Sequence, residues 1–276
     1  MAREFRAGKT QLMGILNVTP DSFYDGGRSF GPESALRRAE RLAEEGADIL
    51  DIGGESTRPG ARPVALEEEC RRVLPVIRRA ARAFPSIPVS IDTRRAETAR
   101  RALLEGARII NDISALAHDP AMAGLAARSG CRVVLMHMRG TPATMQSLAR
   151  YRDVTREVRG EILERVEHAL KSGVKKKNIL IDPGIGFSKT AEQNLELLAD
   201  LGSFSALGYP VMVGCSRKSF IGAVLGGRSG PLPPAERLEG SLACALWCAS
   251  HGARVLRVHD VGATRRALRM AEALTA

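Results

Sequence analysis

Polar side chains that can take part in chemistry follow short apolar runs at intervals along this chain of 276 residues. In chain order they are Asn17, Asp51, Asp92, Asn111, Asp112, His137, Asp182, Ser216, Lys218, Arg257 and His259. The set has no Ser-His-Asp or Cys-His arrangement, which argues against acyl transfer through a covalent enzyme intermediate. The sequence also has no H-E-x-x-H motif and no cysteine cluster, which argues against a zinc hydrolase.

Two carboxylates and an amide in this set suit the edge of a planar heterocycle. Asp92 and Asp182 each follow an apolar run directly, and Asn111 ends another. Carboxylate and amide oxygens accept hydrogen bonds from adjacent ring and exocyclic N–H groups, as they do from a guanidine-like edge. These three residues therefore predict a pocket for such a ring.

Cationic residues predict an anion site near the same place. Ser216, Arg217, Lys218 and Ser219 precede the apolar turn 220–225, so backbone N–H groups and the positive end of a helix would face an anion there. Arg257 and His259 form a second candidate anion-binding pair. Asn17 supplies an uncharged oxygen suited to a magnesium ion that already carries phosphate oxygens and water.

Other polar residues have a structural interpretation. We expect Asp51 and Asp112 to be helix-capping or turn residues, since Asp is common directly after a strand. His137 lies in an apolar run and is predicted to be a core histidine with satisfied hydrogen bonds, and His118 and His168 are predicted to lie at the surface.

Short apolar runs alternate with amphipathic segments, and this alternation predicts the fold. The predicted strands are 12–18, 47–52, 87–91, 108–113, 131–137, 178–181, 210–213 and 253–258. The predicted helices are 33–45, 66–83, 95–105, 119–129, 151–172, 190–200, 235–251 and 262–274. Glycine recurs where a helix turns into a strand, at Gly46, Gly106, Gly130 and Gly252.

Eight strands and eight helices in strict order require right-handed parallel crossovers. We therefore predict an α/β fold, a (β/α)8 TIM barrel, with residues 1–276 as a single domain. The alternative is an open doubly wound sheet, but the glycine-rich dinucleotide loop typical of that fold is absent after the first strand. In a barrel, the polar residues would share the rim at the carboxyl ends of the strands.

Two connections on that rim are long and rich in glycine and proline. They cover residues 19–27 and 53–60, and their place on the catalytic face favours mobile lids over ordered turns.

The chain carries 41 Lys and Arg against 31 Asp and Glu, a net charge of +10. Most of the excess lies in arginine pairs such as Arg71-Arg72, Arg94-Arg95 and Arg100-Arg101, which we interpret as solvated outer faces of helices. Aromatic residues that would stack on bases are not interleaved with them, so no nucleic-acid partner is expected. No apolar run is long enough to cross a membrane, and an odd number of cysteines fits the reducing cytoplasm.

Eight motifs spread along the chain resemble those of the dihydropteroate synthase family. They are M-G-I-L-N-V-T-P-D-S-F-Y-D-G-G from Met13, D-I-G-G-E-S-T-R-P-G from Asp51, S-I-D-T from Ser90, N-D-I-S from Asn111, L-M-H-M from Leu135, D-P-G-I-G-F from Asp182, S-R-K-S from Ser216 and R-V-H-D from Arg257. The departures are Ile185 and Ser188, where some members of the family have Phe and Gly.

The resemblance implies that 6-hydroxymethyl-7,8-dihydropterin diphosphate and 4-aminobenzoate give 7,8-dihydropteroate and diphosphate, with Mg²⁺ required. It implies pterin contacts for Asp92, Asn111, Met136, Asp182 and Lys218. It implies an aminobenzoate site formed by Thr57, Arg58, Phe187 and Ser216. Arg257 and His259 would hold the diphosphate, Asn17 would contact the metal, and catalysis would fall to Lys218, Asp92, Asp182, Arg257 and His259.

Two other functions remain open at this point. One is a pterin-binding methyltransferase that acts on methyltetrahydrofolate and a corrinoid, and the other is a non-catalytic pterin-binding paralogue. Neither would need the S-R-K-S motif. The resemblance also suggests a homodimer, formed through a helix near 235–250 in which Leu242, Leu246 and Trp247 are more apolar than an outer helix requires.

Overall fold

The computed structural model describes residues 10–19, 32–57, 63–227 and 230–275. Its strands are β1 (Gln11–Asn17), β2 (Ile49–Gly53), β3 (Val89–Asp92), β4 (Ile109–Asp112), β5 (Arg132–Met136), β6 (Ile179–Asp182), β7 (Val211–Val213) and β8 (Ala253–Val258). The strands pair in chain order, each parallel to the next, and β8 pairs with β1 to close a barrel. The predicted (β/α)8 barrel is confirmed.

Ten α-helices surround the barrel in the described part of the chain. They are α1 (Pro32–Glu44), α2 (Leu66–Ala83), α3 (Ala96–Leu104), α4 (Ala121–Ser129), α5 (Val154–Lys171), α6 (Ala191–Ala199), α7 (Leu201–Ser205), α8 (Ser219–Gly226), α9 (Leu238–Ser250) and α10 (Val261–Thr275). The prediction of eight helices missed two of these. The short α7 follows α6 after Asp200, and the apolar α8 stands between β7 and α9.

Local sequence accounts for the helix ends that matter to the site. The Thr190 side chain accepts a hydrogen bond from the Gln193 backbone N–H, and the Gln193 side-chain oxygen accepts one from the Thr190 backbone N–H, so α6 begins with a capping box. Asp153 caps α5 in a similar way by accepting from the Arg156 N–H. The four glycines predicted at helix-to-strand junctions all have positive φ, between 64° and 109°, as a left-handed turn requires.

The barrel interior is built in layers. Seven strand side chains, each at most 1% exposed, fill its middle with an apolar layer. They are Met13, Ile49, Ile109, Val134, Leu180, Met212 and Val255. Since alternate residues of a strand face the same side, the residues two positions further along point inward one layer nearer the carboxyl ends. That next layer includes Asp51, Asn111, Met136, Asp182 and Arg257.

Most of the arginine pairs lie where predicted, on outer helix faces. Arg100 and Arg101 both pair with Glu97 on α3, and Arg71 pairs with Glu68 on α2. Arg72 departs from the prediction, because its side chain is only 12% exposed and also donates to the Gly54 carbonyl.

Arg94 and Arg95 correct that prediction. Their side chains are only 13% and 19% exposed and bind the carboxylate of Glu55 at the carboxyl end of the barrel. Their positive charge is matched by neighbouring carboxylates because the chain turns inward between β3 and α3 there.

Candidate active site

A connected group of charged and amide side chains lies inside the barrel, one layer nearer the carboxyl ends of the strands than the apolar layer. Arg257 Nε donates to Asp51 Oδ2 at 2.6 Å, and its Nη2 donates to Asp92 Oδ2, also at 2.6 Å. Asn111 Nδ2 donates to the same Asp51 oxygen at 3.1 Å. The structure therefore brings Asp92, Asn111 and Arg257 together, as the sequence predicted, and joins them through Asp51.

Asp51 corrects the sequence interpretation. We expected a capping or turn residue, but the side chain is fully buried inside the barrel and accepts from Arg257 and Asn111. Its other oxygen, Oδ1, has no hydrogen-bond partner among the described residues. Asp112 was also predicted to be a capping or turn residue, and this prediction is confirmed. Its carboxylate accepts hydrogen bonds from the backbone N–H groups of Ser114 and Leu116.

Asp92 stands at the mouth of the barrel with its carboxylate against Arg257. Burial raises the pKa of Asp92 to about 7, opposed by the Arg257 charge and reinforced by the charge of Asp51. A carboxyl group whose pKa lies near neutrality can accept or release a proton under ordinary conditions.

Asp182 ends β6 and is buried. Its Oδ1 accepts from the backbone N–H of Gly184 at 2.7 Å, which fixes the carboxylate relative to the following loop. Burial raises the pKa of Asp182 to about 6, while the hydrogen bond from Gly184 and the charge of Lys218 act in the opposite direction.

Lys218 is the residue before α8, and its ammonium group lies 3.9 Å from the centre of the Phe187 ring. That distance is typical of a cation–π contact. Burial lowers the pKa of Lys218 to about 8, helped by the charge of Arg257 and opposed by Asp182.

Phe187 belongs to an apolar wall beside these charges. It forms a buried cluster with Ile113, Met136 and Met145, and Met138 packs against the cluster. Met136 is therefore placed where it can contact a flat ring held by the neighbouring carboxylates. Methionine and phenylalanine side chains suit such a surface because both are apolar and polarisable.

Ser216 and His259 lie next to each other on the rim. The Ser216 hydroxyl accepts from the His259 backbone N–H at 3.2 Å and lies 3.0 Å from His259 Nδ1. Burial, together with the charge of Arg257, lowers the pKa of His259 to about 3, so its ring is neutral at pH 7. If the ring proton is on Nε2, Nδ1 accepts from Ser216 and Nε2 can donate a neutral N–H to an anion.

Arg217 belongs to the S-R-K-S motif, but its side chain leads away from these residues. It forms a two-point ion pair with Asp260, at 2.9 Å and 2.7 Å, and its backbone has a positive φ of 58°. The cation that this motif brings to the carboxylates and to Phe187 is Lys218.

Asn17 and Thr57 complete the predicted set on the described rim. Asn17 ends β1 beside Gly53 of β2, and both Asn17 and Thr57 are half-buried. Arg58, as well as most of the predicted lid 19–27 and the end of 53–60, lies outside the described residues.

His137 is confirmed as a core histidine with satisfied hydrogen bonds. It is 4% exposed, and its ring nitrogens contact Glu161 and Lys189. His118 and His168 are exposed, as predicted.

Sequence reasoning missed Asp51 and Lys189. Asp51 follows the inward-facing Ile49 by two residues, and this strand periodicity was a usable signal. Lys189 precedes the cap of α6, where a lysine would normally be exposed, so local pattern gives no sign that it is buried.

Comparisons with known proteins cover the part of the chain that carries these site residues. Residues 13–259 match the family described as pterin binding enzyme. A dihydropteroate synthase from Synechocystis sp. is 46% identical over 266 residues, which cover 96% of this chain and 90% of the relative.

Solved structures agree with the sequence relatives. A Xanthomonas albilineans dihydropteroate synthase with 4-aminobenzoic acid has a TM-score of 0.90 and 46% identity, covering 98% of this chain and 94% of that chain. A structure of the enzyme from the same organism with 7,8-dihydropteroate has a TM-score of 0.87 and 44% identity, covering 98% and 95% of the two chains.

Fold, rim and family match define the class as pterin-binding enzymes built on a (β/α)8 barrel. Within that class, the chain belongs to the dihydropteroate synthase family. Members of this family are transferases of the pterin methylene group. The comparisons give no support to the corrinoid methyltransferase alternative.

Proposed function

We infer that this protein joins 6-hydroxymethyl-7,8-dihydropterin diphosphate to 4-aminobenzoate and releases diphosphate. The observation that carries this function is the grouping of Asp92, Asn111 and Asp182 inside the mouth of the barrel, with Lys218 and an apolar wall beside them. Solved relatives bind 4-aminobenzoic acid and 7,8-dihydropteroate in the same fold.

The pterin ring has the donor pattern that this group can accept. Its exocyclic amine and ring N–H form a guanidine-like edge, which a carboxylate binds through two parallel hydrogen bonds. We propose that Asp182 and Asn111 bind this edge, and that Asp92 binds another N–H of the ring. Met136 would then lie near one face of the ring, and Lys218 would donate to a ring acceptor.

The proposed reaction explains why the site shows no dedicated general base. An arylamine is neutral and nucleophilic at pH 7, and diphosphate leaves readily once its charge is balanced. The protein then contributes positioning and electrostatic stabilisation of the departing anion. Arg257 and His259 are the proposed diphosphate contacts, one as a cation and the other as a neutral N–H donor.

The residues present fit a magnesium ion that is held mainly by its substrate. Within the described ranges, no group of three or more His, Cys, Asp or Glu side chains is placed to hold a metal ion. Asn17 offers a hard oxygen on the rim, which suits Mg²⁺ because this ion usually keeps water and substrate phosphates as its other ligands. A bound Mg²⁺ would balance negative charge on the diphosphate.

We propose that 4-aminobenzoate lies between Phe187 and the amino end of α8. Ser216 precedes that helix, whose first backbone N–H groups point towards incoming anions. Thr57 lies on the facing side of the rim, and Arg58 is the remaining proposed contact. The carboxylate of the substrate would bind at the helix end and its amine would face the pterin.

Diphosphate release tests this proposal. Wild-type protein with Mg²⁺ and both substrates should release diphosphate, and omission of either substrate should abolish it. Lys218→Ala and Asp182→Asn should each lower kcat/KM by on the order of a hundredfold, since each removes a charged contact to the pterin. The matched surface controls Lys177→Ala and Asp200→Asn should keep wild-type rates. Full activity in either site variant would contradict the residue assignment.

We also propose a homodimer formed through α6, α8 and α9. These helices contact one another and expose Leu195, Val224, Leu225 and Trp247, each between 44% and 55% accessible. Leu246, first expected at the interface, packs largely on the core of its own chain. Apolar side chains exposed on neighbouring helices favour a second copy of the chain as the partner.

We propose that the protein works in the cytoplasm, a reducing compartment. All five cysteines are free thiols, as expected in a reducing compartment. None of the helices in the described residues is both long and apolar enough to span a membrane. Cell fractionation should recover the diphosphate-releasing activity with cytoplasmic markers, and recovery with periplasmic or membrane markers would contradict this assignment.

A further inference from the structure

A buried lysine that has no role in the proposed reaction contacts the backbone of the loop between β6 and α6. Lys189 is 3% exposed. Its ammonium nitrogen contacts three acceptors, His137 Nδ1 at 3.0 Å, the Gly184 carbonyl at 3.1 Å and the Phe187 carbonyl at 2.9 Å. His137 Nε2 in turn lies 2.8 Å from Glu161 Oε2. We call Lys189, His137 and Glu161 the lysine relay.

The hydrogen bonds define the protonation state of the lysine relay. A lysine ammonium has three N–H groups and no acceptor, and here it has three acceptors around it. His137 therefore accepts at Nδ1 and donates from Nε2 to the Glu161 carboxylate. Burial lowers the pKa of His137 to about 4, which keeps the ring neutral in this role at pH 7. Burial lowers the pKa of Lys189 to about 7, while the negative charges of Asp182 and Glu161 favour its ammonium form. Glu161 also pairs directly with Arg139.

The lysine relay holds a loop that has little freedom to move. Gly184 has a φ of 69°, and a Cβ at this position would lie 1.9 Å from the His137 carbonyl oxygen, so the loop backbone is pressed against the end of β5. At the other end of the loop, Asn194 Oδ1 accepts from the Gly186 N–H at 2.6 Å. Lys189 donates to the carbonyls of Gly184 and Phe187, which lie on either side of this second anchor in the sequence.

The opposite face of the same loop forms part of the active site. The Phe187 ring lies against the Lys218 ammonium group at 3.9 Å. Gly186 leaves room for the Lys218 stem, since a Cβ there would lie 2.8 Å from Lys218 Cδ. A small shift of this backbone would therefore move the ring and change the space around Lys218.

We propose that Lys189 is a positioning residue that fixes the backbone of 184–187 and thereby holds Phe187 as a wall of the aminobenzoate subsite. The inference rests on the proposed function, which places 4-aminobenzoate beside Phe187. His137 acts through Lys189, because it supplies the third acceptor. Asp182 and Glu161 both supply negative charge near the lysine.

Lys189→Met tests the inference, because it keeps the length of the side chain and removes all three N–H groups. We expect KM for 4-aminobenzoate to rise by about tenfold, since a displaced binding wall weakens contacts to the substrate. We expect kcat and KM for the pterin diphosphate to change by no more than about threefold. Asp92 and Asn111 stay in place, whereas Asp182 and Lys218 contact the loop and shift only slightly with it. Lys177→Met, the same change on an exposed lysine, should leave all three constants unchanged.

Two further variants keep the test decisive. Glu161→Gln removes a negative charge near Lys189 from a side chain that is 35% exposed. Glu161 also pairs with Arg139, which keeps its second partner Glu157 in the variant. The variant should raise the same KM by about threefold even if Lys189→Met folds poorly. In a Phe187→Ala background, Lys189→Met should raise KM no further, because the residue it positions is gone.

The outcomes separate this inference from the proposed function. If Lys189→Met and Glu161→Gln lower only the amount of folded enzyme and leave KM for 4-aminobenzoate unchanged, Lys189 is not a positioning residue. An equal rise of both KM values would also overturn the inference. Loss of diphosphate release in the wild-type protein would instead refute the proposed function.

Discussion

Asp182 and Lys218 have pKa values shifted towards neutrality from opposite directions. Burial raises the pKa of Asp182 to about 6 and lowers that of Lys218 to about 8. In the proposed reaction, Asp182 must be ionised to accept two N–H groups, and Lys218 must be protonated to donate. Between these two pKa values both residues have the required charge.

The residue scale thus predicts a bell-shaped dependence of kcat/KM on pH. Activity should fall as the pH drops through the pKa values of Asp92 (about 7) and Asp182 (about 6), because both carboxylates must accept N–H groups. It should also fall above about pH 8 as Lys218 loses its proton. Lys218→Arg should retain residual activity and move the alkaline limb to higher pH, because a guanidinium keeps its proton. Initial rates between pH 5 and 10 check this, with Lys177→Arg as the control. An alkaline limb that stays in place in Lys218→Arg would assign it to another group.

Single residues were predictable from the sequence where chemistry and local pattern agree. Asp92, Asn111 and Asp182 end apolar runs, so their place at the barrel mouth followed from strand periodicity and fold. Asp51 has the same pattern, but the glycines after it favoured a turn. Its contact with Arg257 joins residues 206 positions apart, and neighbouring sequence carries no information about such a pair.

At the scale of elements, three arginines hold the described ends of the connection between β2 and α2. Arg72 donates to the Gly54 carbonyl at 2.9 Å, and Arg94 donates to Glu55 at 2.8 Å. Arg95 contacts Glu55 at one end and the Val64 carbonyl at the other, at 2.8 Å and 2.5 Å. This arrangement fixes the stem that carries Thr57.

Arg95 also balances a buried carboxylate, and removing it should destabilise the barrel. Glu69 is 1% exposed and receives hydrogen bonds from Arg95, Thr93 and Thr98. Arg95→Met leaves its charge without a cation and should lower the free energy of unfolding by about 3 kcal/mol. Urea denaturation measures this change.

Two controls accompany the Arg95 measurement. Arg79→Met breaks an exposed pair with Glu33 and should change little. Adding Glu69→Gln to Arg95→Met should restore part of the loss, because the uncompensated charge disappears. A single variant as stable as wild type would show that Arg95 does not stabilise the buried charge.

Elements were predicted well where their hydrophobic period is long. The strands were predicted to within three residues of their observed ends, since apolar runs mark them clearly. The five-residue α7 was missed, and α8 was anticipated only as the turn 220–225, because neither is long enough to show an amphipathic period. The position of α8 depends on packing against α6 and α9.

At the scale of the whole molecule, the apolar faces of α6, α8 and α9 predict the state of assembly. Sedimentation should give a particle of twice the chain mass of 29.7 kDa. Leu195→Lys together with Val224→Lys should produce monomers, because charges at a dimer interface lose their hydration.

Leu104→Lys is the matched control for assembly. Leu104 is 76% exposed on α3, outside the proposed interface helices, and its replacement should leave the dimer intact. A monomeric wild-type protein, or a double variant that still dimerises, would remove this face as the interface.

The apolar layer of seven strand side chains determines where substrates can enter and products can leave. It closes the barrel below Asp51, Asn111 and Arg257, so the proposed active site has no opening on that side. Both substrates must arrive, and both products must depart, through the mouth at the carboxyl ends of the strands. If the pterin binds deepest, as proposed, it would load before aminobenzoate, and bound dihydropteroate would block the next pterin until it leaves.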